Sequence, residues 1–293
     1  MVELMRTALY VPGNRRDMLR KAPTYGADVV IADLEDSIPA AEKAAARATV
    51  EQTIEAGELS AARVVVRING LNTLESSLDV KAAVRPGVWG LKIPKVNSPA
   101  ELRELDSVVA DLEGHAGLER GTIRFLPTIE TPLAVVRAYE ITSASPRVAA
   151  VTFGGEDLLV SLGIERSPEE LELLHARGAT AIAAAAVGVP AIDGVYTNYM
   201  DEEGLVEQTG LIKQLGFSGR SVIHPRQIAP VHRVFSPAPE EVEHARSVVE
   251  AYEQAAAAGR GSVGLDGKMI DLPVVRRAQN TLARAESLPP TDQ

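Results

Sequence analysis

The fold is indicated most clearly by Val29-Val30-Ile31-Ala32-Asp33-Leu34-Glu35-Asp36, where an apolar, strand-like run ends directly in a group of acids. The same order, an apolar run followed by polar groups, recurs at residues 64–70, 125–130 and 149–157. Chemistry gathered after successive strands is typical of a (β/α)8 barrel, since the loops that follow its parallel strands converge on one face. The sequence therefore predicts an enzyme.

Eight β-branched apolar runs alternate with helix-sized segments, which predicts parallel strands connected by helices. The expected strands are residues 7–12, 28–33, 62–68, 88–93, 123–129, 148–153, 190–196 and 219–223. Examples of the expected helices are residues 40–56, 99–112 and 131–142. No Gly-x-Gly-x-x-Gly follows the first strand, so a closed TIM barrel of class α/β is favoured over an open dinucleotide-binding sheet.

The chain continues beyond the length that eight strands need, and we expect a C-terminal helical lid or arm. Residues 1–235 are assigned to the barrel and 236–293 to this extension, which has a long helix at 239–258, a Gly-rich hinge at 259–264 and a final helix at 272–286. The acidic cluster at 266–271 suits a lid that contacts a neighbouring subunit. A surface hairpin packed on its own barrel is the alternative.

Composition excludes several classes of function. With 45% apolar and 24% charged residues and a mean hydropathy of +0.01, the chain resembles an ordinary globular protein, and no run suits a membrane span. A net charge of −10 argues against nucleic acid as a partner. The six residues before Thr7 leave no room for a signal peptide, so a cytoplasmic location is expected.

Metal chemistry is restricted to oxygen ligands, because the chain has no cysteine and its five histidines form no His-x-x-x-His pair. Glu130 and Asp157 follow the fifth and sixth strands, and such carboxylates suit Mg²⁺ or Mn²⁺. The alternative is that both acids stabilise helix N-termini. Gly154 and Gly155 favour the first interpretation, since they let backbone N–H groups approach a ligand.

Further candidates lie after the neighbouring strands. Glu35 and Asp36 could orient the water around a cation, or simply be solvated or helix-capping acids. Arg67, after the third strand, could hold a carboxylate or an enolate oxygen, or form an ion pair with an acid at the barrel mouth. Lys92 and Lys95 could add positive charge there.

Two basic features also point to an anionic ligand. Four cations surround the start of the first helix: Arg15, Arg16, Arg20 and Lys21. They predict a phosphate site, with a solvated basic face as the alternative. His224 follows the eighth strand and could contact a ligand or a backbone group.

Seven motifs, in order along nearly the whole chain, resemble the citrate lyase β-subunit family, which includes malyl-CoA and citramalyl-CoA lyases. They are Leu9-Tyr10-Val11-Pro12-Gly13-Asn14-Arg15, Asp33-Leu34-Glu35-Asp36-Ser37, Val66-Arg67-Ile68-Asn69, Pro127-Thr128-Ile129-Glu130-Thr131, Phe153-Gly154-Gly155-Glu156-Asp157, Ile223-His224-Pro225 and Met269-Ile270-Asp271. The family fold is the same barrel.

The resemblance implies specific roles. Glu130 and Asp157 would bind Mg²⁺, with Glu35 and Asp36 behind them. The expected substrate-binding residues are Tyr10, Arg15, Lys21, Arg67, Glu130, Gly155, Glu156, Ile223 and His224, with Tyr10, Arg15 and Lys21 on the coenzyme A portion. Arg67 and Asp271 would be catalytic, with Asp271 as a general acid/base that reaches into an adjacent subunit of a homo-oligomer, a trimer or hexamer.

The resemblance implies Mg²⁺-dependent cleavage of a 3-hydroxyacyl-CoA to an acyl-CoA and a 2-oxo acid, or the reverse condensation. Malyl, citramalyl and citryl groups differ too little for the sequence to choose among them. Three alternatives stay open: a malyl-CoA thioesterase or synthase, the β subunit of a citrate lyase complex, and a CoA-ester-binding protein without turnover.

Overall fold

A computed structural model describes residues 4–288 and contains the expected closed barrel. Its strands are β1 (Thr7–Pro12), β2 (Val29–Asp33), β3 (Val64–Arg67), β4 (Gly90–Ile93), β5 (Arg124–Ile129), β6 (Val151–Phe153), β7 (Ala191–Asp193) and β8 (Gly219–Val222). All neighbours pair in parallel, and β8 closes the barrel on β1 through Ala8 and Ser221. The predicted α/β fold is confirmed.

Helices connect the strands. They are α1 (Arg16–Lys21), α2 (Lys43–Glu55), α3 (Leu74–Ala83), α4 (Pro99–His115), α5 (Pro132–Val136), α6 (Ala138–Thr142), α7 (Gly155–Leu162), α8 (Leu171–Val187), α9 (Glu202–Gln214) and α10 (Ile228–Phe235). The segment expected as one helix at 131–142 is two short helices, and a 3₁₀ turn at Ala40–Glu42 precedes α2.

Apolar strand residues fill the lower part of the barrel, and polar ones stand above them. Val29, Ile31, Val65 and Leu126 belong to one buried cluster, against which Tyr10 and Trp89 pack. Asp33 and Arg67 are register partners at the carboxyl ends of β2 and β3. The strand order therefore brings polar residues that are distant in sequence to one end of the barrel.

The chain divides into two compact units, and the division falls within α10 after Val231. In the second unit, α11 (Pro239–Ala257) is followed by a hairpin of β9 (Val263–Leu265) and β10 (Lys268–Ile270) and then by α12 (Leu272–Glu286). Its small core includes Val248, Ile270 and Val275. The segment predicted as a hinge with an acidic cluster thus contains an antiparallel hairpin.

The assignment of 1–235 to the barrel and 236–293 to a lid that contacts a neighbour stays a prediction. Its extreme ends, residues 1–3 and 289–293, lie outside the described residues. Within residues 4–288, no helix combines the length and apolar character that crossing a membrane requires.

Candidate active site

A cavity of about 400 Å³ opens at the carboxyl ends of the strands. It collects most of the residues predicted to carry chemistry. Its lining includes Tyr10, Asp33, Asp36, Arg67, Lys92, Thr128, Glu130, Gly155, Glu156, Asp157, Ser221 and Ile223. A concave site of this kind, with convergent polar groups, is the usual form of an active site.

Arg67 lies on one wall of the cavity and is held by three acids. Its Nε and Nη2 donate to the two carboxylate oxygens of Asp33 at 2.6 and 2.7 Å, while Nη1 is 2.9 Å from Glu35 and 3.2 Å from Asp36. Burial opposes the charge of Arg67, but Asp33 and the other neighbours outweigh it and raise the pKa. The guanidinium is therefore a fixed cation, and its Cζ lies 4.9 Å from the centroid of the Tyr10 ring.

Several acids converge on Lys95. Its backbone N–H donates to Glu130 Oε1 at 2.5 Å, and its Nζ lies 2.8 Å from Glu35 and 3.7 Å from Asp157. Lys95 has a φ of 53°, a left-handed conformation that costs a non-glycine residue about 1 kcal/mol or more. This backbone conformation places both nitrogens of one residue at the acid cluster. The sequence predicts Lys95 only as an additional positive charge, because no local sequence signal indicates its positive φ.

Glu130 is buried, and its environment disfavours a bare negative charge. Burial, Asp157 and Glu35 raise its pKa, in decreasing order, against the opposing effect of Lys92 and the Lys95 N–H. The alternative of a helix cap does not describe Glu130, because Thr131 caps α5 by accepting from Ala134 N–H at 3.1 Å. A nearby cation would stabilise the charged form of a carboxylate in this environment.

The donor set fits a hard divalent cation with open positions. Among the described residues, no cluster of three or more His, Cys, Asp or Glu is arranged as a metal site. Two carboxylates, Glu130 and Asp157, can still serve Mg²⁺, which keeps several positions for water and substrate. Asp157 lies in the first turn of α7, where its charge can stabilise the helix N-terminus. Its side chain is 38% exposed, so it can also serve as a metal ligand.

Gly154 makes room for Glu130. A Cβ atom at position 154 would lie 2.6 Å from Glu130 Cβ and would also collide with Oε2. Any larger residue would therefore displace that carboxylate. The sequence analysis explained the glycine pair by approach to a ligand, whereas the structure adds a packing reason for the first of the two.

Lys92, Thr128 and Ser221 form the floor of the cavity, and Thr152 contacts Lys92 without lining the cavity itself. Lys92 Nζ donates to Thr152 Oγ1 at 2.5 Å, and Thr152 is 2.9 Å from Thr128 Oγ1. Ser221, from β8, lines the same cavity. All four residues are buried. The floor is polar, although it lies inside the barrel.

The α7 side of the cavity carries two cations that the sequence did not single out, Arg166 and Arg177. Arg166 pairs at 2.8 Å with Glu156, one of the predicted substrate-binding residues. Arg177 Nε lies 3.1 Å from the buried Asp193, at the end of β7. Arg177 comes from the middle of α8, far in sequence from any strand end, which is why the pattern of strand ends missed it.

Several candidates lie outside the lining of this cavity, Glu35 and Asp271 among them. Arg15 is exposed and 3.3 Å from Asp17, and Lys21 is exposed at the end of α1. His224 accepts from Arg226 N–H at 3.1 Å and stacks on Tyr199, with ring centroids 4.8 Å apart. Arg16, from the predicted phosphate cluster, is already paired with Glu58 at 3.0 Å.

Asp271 belongs to the second compact unit. It is the N-cap of α12, where its Oδ1 accepts from Val274 N–H at 3.3 Å. The cap explains why an acid is suitable at this position, independently of any catalytic role.

Comparison with known proteins gives consistent results. The citrate lyase subunit beta of Leuconostoc mesenteroides subsp. cremoris is 40% identical over 284 residues, which is 97% of this chain and 94% of that protein. The mitochondrial citramalyl-CoA lyase of Homo sapiens is 34% identical over 97% of this chain and 86% of its own. The CitE protein of Mycobacterium tuberculosis, in complex with magnesium, acetoacetate and coenzyme A, matches with a TM-score of 0.79 and 31% identity, over 97% of this chain and 99% of that one.

The family model for HpcH/HpaI aldolase/citrate lyase matches residues 6–225, the part of the chain that forms the barrel and carries the cavity. The chain therefore belongs to the HpcH/HpaI aldolase/citrate lyase family and is a carbon–carbon lyase.

Proposed function

We propose that this lyase cleaves, or in reverse forms, a 3-hydroxyacyl-CoA and releases an acyl-CoA and a 2-oxo acid, with Mg²⁺ as its cofactor. The observation that carries the proposal is that one cavity is lined by both a guanidinium, Arg67, which Asp33 holds in place, and two carboxylates, Glu130 and Asp157. The reaction needs one group to stabilise an enolate and another to polarise a hydroxyl that becomes a carbonyl. This cavity offers both.

Glu130 and Asp157 are the residues that would hold Mg²⁺. The bound cation would supply positive charge beside the hydroxyl and carboxylate of the substrate, which lowers the free energy of the alkoxide-like state. Glu35 and Asp36 lie behind these ligands, and Lys95 links them. Mn²⁺ has similar ligand preferences and is expected to substitute.

Arg67 would stabilise the thioester enolate. Its charge is fixed by Asp33, so little reorganisation is needed when negative charge develops on the thioester oxygen. Burial raises the pKa of Glu35, against the lowering effect of Arg67 and Lys95. Glu35 lies outside the cavity lining, and we propose that it takes the hydroxyl proton through an intervening water, since a carboxylate with a raised pKa is a better proton acceptor.

Asp271 would deliver a proton to the enolate carbon, or remove it in the condensation direction. This assignment rests on the resemblance of Met269-Ile270-Asp271 to the family motif. We propose that the acid acts on the cavity of a neighbouring subunit in a homo-oligomer, a trimer or hexamer.

The coenzyme A portion would extend from the cavity over its rim. Tyr10 and Ile223 line the cavity, whereas Arg15, Lys21 and His224 lie outside that lining. Exposed cations suit the phosphates of a long ligand that leaves the cavity. Gly155 and Glu156, at the start of α7, would contact the acyl end.

The test is incubation of the purified protein and MgCl₂ with malyl-CoA, citramalyl-CoA and citryl-CoA, followed by mass spectrometry. A lyase yields an acyl-CoA plus a 2-oxo acid. Free CoA with the intact hydroxy acid would instead identify a thioesterase. If the unsubstituted protein bound all three esters and formed no product from any of them, the result would contradict the proposal and support a binding protein.

A second candidate is a β subunit that acts on an acyl-carrier-protein thioester within a complex. The 40% identity to a citrate lyase subunit beta favours it. Turnover of CoA esters by the isolated protein would favour the first candidate. Without such turnover, cleavage of a citryl thioester on an acyl-carrier protein would favour the β subunit over a binding protein.

A further inference from the structure

Lys92 is a charged residue inside the barrel that the proposed reaction does not use. It is the third residue of β4 and only 2% exposed, and its register partners are Arg67 on β3 and Leu126 on β5. Its side chain lines the cavity. A buried lysine that faces a cavity needs an explanation, because burial without a partner costs several kcal/mol or shifts its pKa.

The ammonium group has spare hydrogen-bonding capacity. Lys92 Nζ can donate three hydrogen bonds, and it donates one, to Thr152 Oγ1 at 2.5 Å. It also lies 5.8 Å from the centroid of the Tyr10 ring. Among residues 4–288, no carboxylate oxygen lies within ion-pair distance of Nζ, whereas Arg67 contacts three acids. Burial lowers the pKa of Lys92, against the raising effect of Glu130. A bound anion would relieve this penalty.

We propose that Lys92 binds a second carboxylate on the oxo-acid part of the substrate, so that the enzyme prefers esters whose cleavage gives a dicarboxylic 2-oxo acid. The inference rests on the proposed function and adds its substrate class. Among the candidate acyl groups, citryl meets this requirement, since its cleavage gives oxaloacetate. Citramalyl and malyl give pyruvate and glyoxylate, which have a single carboxylate.

The position of Lys92 agrees with the length of such an acid. Its Nζ is at the level of Thr152 and Thr128, which are register partners on β6 and β5. Glu130 follows Thr128 by two residues, about 7 Å along the strand. An oxo acid held at its keto end near Glu130 and Asp157 would therefore extend its far carboxylate toward the floor. Thr128 and Ser221 also line the cavity.

The same geometry disfavours the shorter substrate. A methyl group in place of the far carboxylate would leave the buried ammonium with the Thr152 hydroxyl and no anionic partner. Sites built to bind a polar group reject analogues that lack it far more strongly than apolar pockets reject an extra group. Lys92 would thus determine specificity, and it would not take part in cleavage of the carbon–carbon bond.

Lys92→Met and Lys92→Gln test this assignment, because both remove the charge at similar volume. The quantity to compare is the ratio of kcat/KM for citryl-CoA to kcat/KM for citramalyl-CoA, measured in one preparation. The ratio is independent of the folded fraction. We expect it to fall at least roughly 100-fold in both variants, through loss of citryl-CoA turnover. Lys81→Met removes an exposed lysine of α3 and should leave the ratio unchanged.

Binding of the oxo acids alone provides a second measurement. Calorimetry in MgCl₂ should show that the unsubstituted protein binds oxaloacetate more tightly than pyruvate, and that Lys92→Met removes the difference. Equal losses on both esters would overturn the assignment and make Lys92 a general electrostatic or catalytic residue. A wild-type enzyme that cleaves citramalyl-CoA but not citryl-CoA would also overturn it, while leaving the proposed function intact. Absence of turnover with every ester would instead contradict the proposed function.

Discussion

Arg67 and Asp33 face each other across β3 and β2 in a two-pronged pair, with Nε to Oδ1 at 2.6 Å and Nη2 to Oδ2 at 2.7 Å. Asp33 also accepts the backbone N–H of Glu35 at 2.9 Å. Although burial raises the pKa of Asp33, the guanidinium and the other donors hold it below its usual range. The carboxylate therefore stays charged and fixes the orientation of Arg67 at the cavity wall.

Arg67→Lys should lose roughly 100-fold or more in kcat while remaining folded. A lysine keeps the charge, but it cannot form the two parallel bonds to Asp33 and still reach Glu35. The measurement is steady-state turnover, with circular dichroism to check the fold. Near-normal kcat in this variant would reduce Arg67 to a structural ion-pair partner.

The strand-end pattern indicated that Arg67, Glu130 and Asp157 would meet, and all three line one cavity. Parallel closure brings strand ends together whatever the intervening helices contain. Asp33, the last residue of β2, was not singled out as a site residue. Lys95 could not be assigned in the same way, because its role depends on a positive φ. The pairing of Arg177 with Asp193 depends on how α8 packs, which a strand pattern does not contain.

Glu130→Gln or Asp157→Asn should each reduce turnover at least roughly 1,000-fold and weaken Mg²⁺ binding, because each removes a charged oxygen ligand. The fold should persist, since removing a buried negative charge from Glu130 relieves repulsion with Asp157 and Glu35. Metal affinity is measured by calorimetry, and the unsubstituted protein treated with chelator is the reference. Full activity of chelator-treated protein without added divalent metal would contradict a metal role.

Gly154→Ala should impair the site by displacing Glu130. The added Cβ would lie 2.6 Å from Glu130 Cβ, so the carboxylate or the β6–α7 connection must move. We expect weaker Mg²⁺ binding and a loss of at least roughly 10-fold in kcat, because small displacements of catalytic groups are costly. Gly210→Ala is the matched control: position 210 lies inside α9 with open space around it, and alanine there should be neutral or stabilising. Equal activity of the two variants would refute the packing role of Gly154.

Glu113 and Arg147 should make a pH-dependent contribution to stability outside the cavity. Glu113 is fully buried, and both oxygens accept from Arg147, each at 2.7 Å. Burial tends to raise the pKa of Glu113, but Arg147 and the N–H groups of Ile123 and Gly121 outweigh it and lower the pKa. Glu113→Gln should therefore reduce the free energy of unfolding by about 3 kcal/mol at pH 7.

The sign of the pH dependence follows from the lowered pKa. The stabilisation is complete above the unfolded-state pKa of about 4.3 and is lost as pH falls through the native pKa. Urea unfolding should be measured between pH 3.5 and 7. The difference in free energy of unfolding between the unsubstituted protein and Glu113→Gln should narrow only at the acid end of this range. Glu55→Gln, which removes a largely exposed partner of Arg85, should cost no more than about 1 kcal/mol at any pH. A gap that widens on acidification would contradict this explanation.

The C-terminal unit shows where sequence interpretation was incomplete. Residues 259–264 were taken as a hinge because of their glycines, yet β9 begins at Val263 and pairs with β10 across Asp266-Gly267. Both turn residues have positive φ, 49° and 74°, and Asp-Gly is a strong signal for such a two-residue turn. The signal was present, but the flanking strands are only three residues long, too short for an alternating pattern to stand out.

The position of Asp271 requires an experiment that separates a helix cap from a catalytic acid. Asp271→Asn keeps a side-chain oxygen that can cap α12 and removes the acid, so it should retain stability and lose activity. If Asp271 works on a neighbouring subunit, mixing inactive Asp271→Asn protein with inactive Glu130→Gln protein under subunit exchange should restore part of the activity. Restoration occurs because some sites then combine an intact barrel with an intact acid. Catalysis within one chain predicts no recovery, because each chain would keep either a defective barrel or a defective acid. A fully active monomer would also refute a role of Asp271 in the site of a neighbouring subunit.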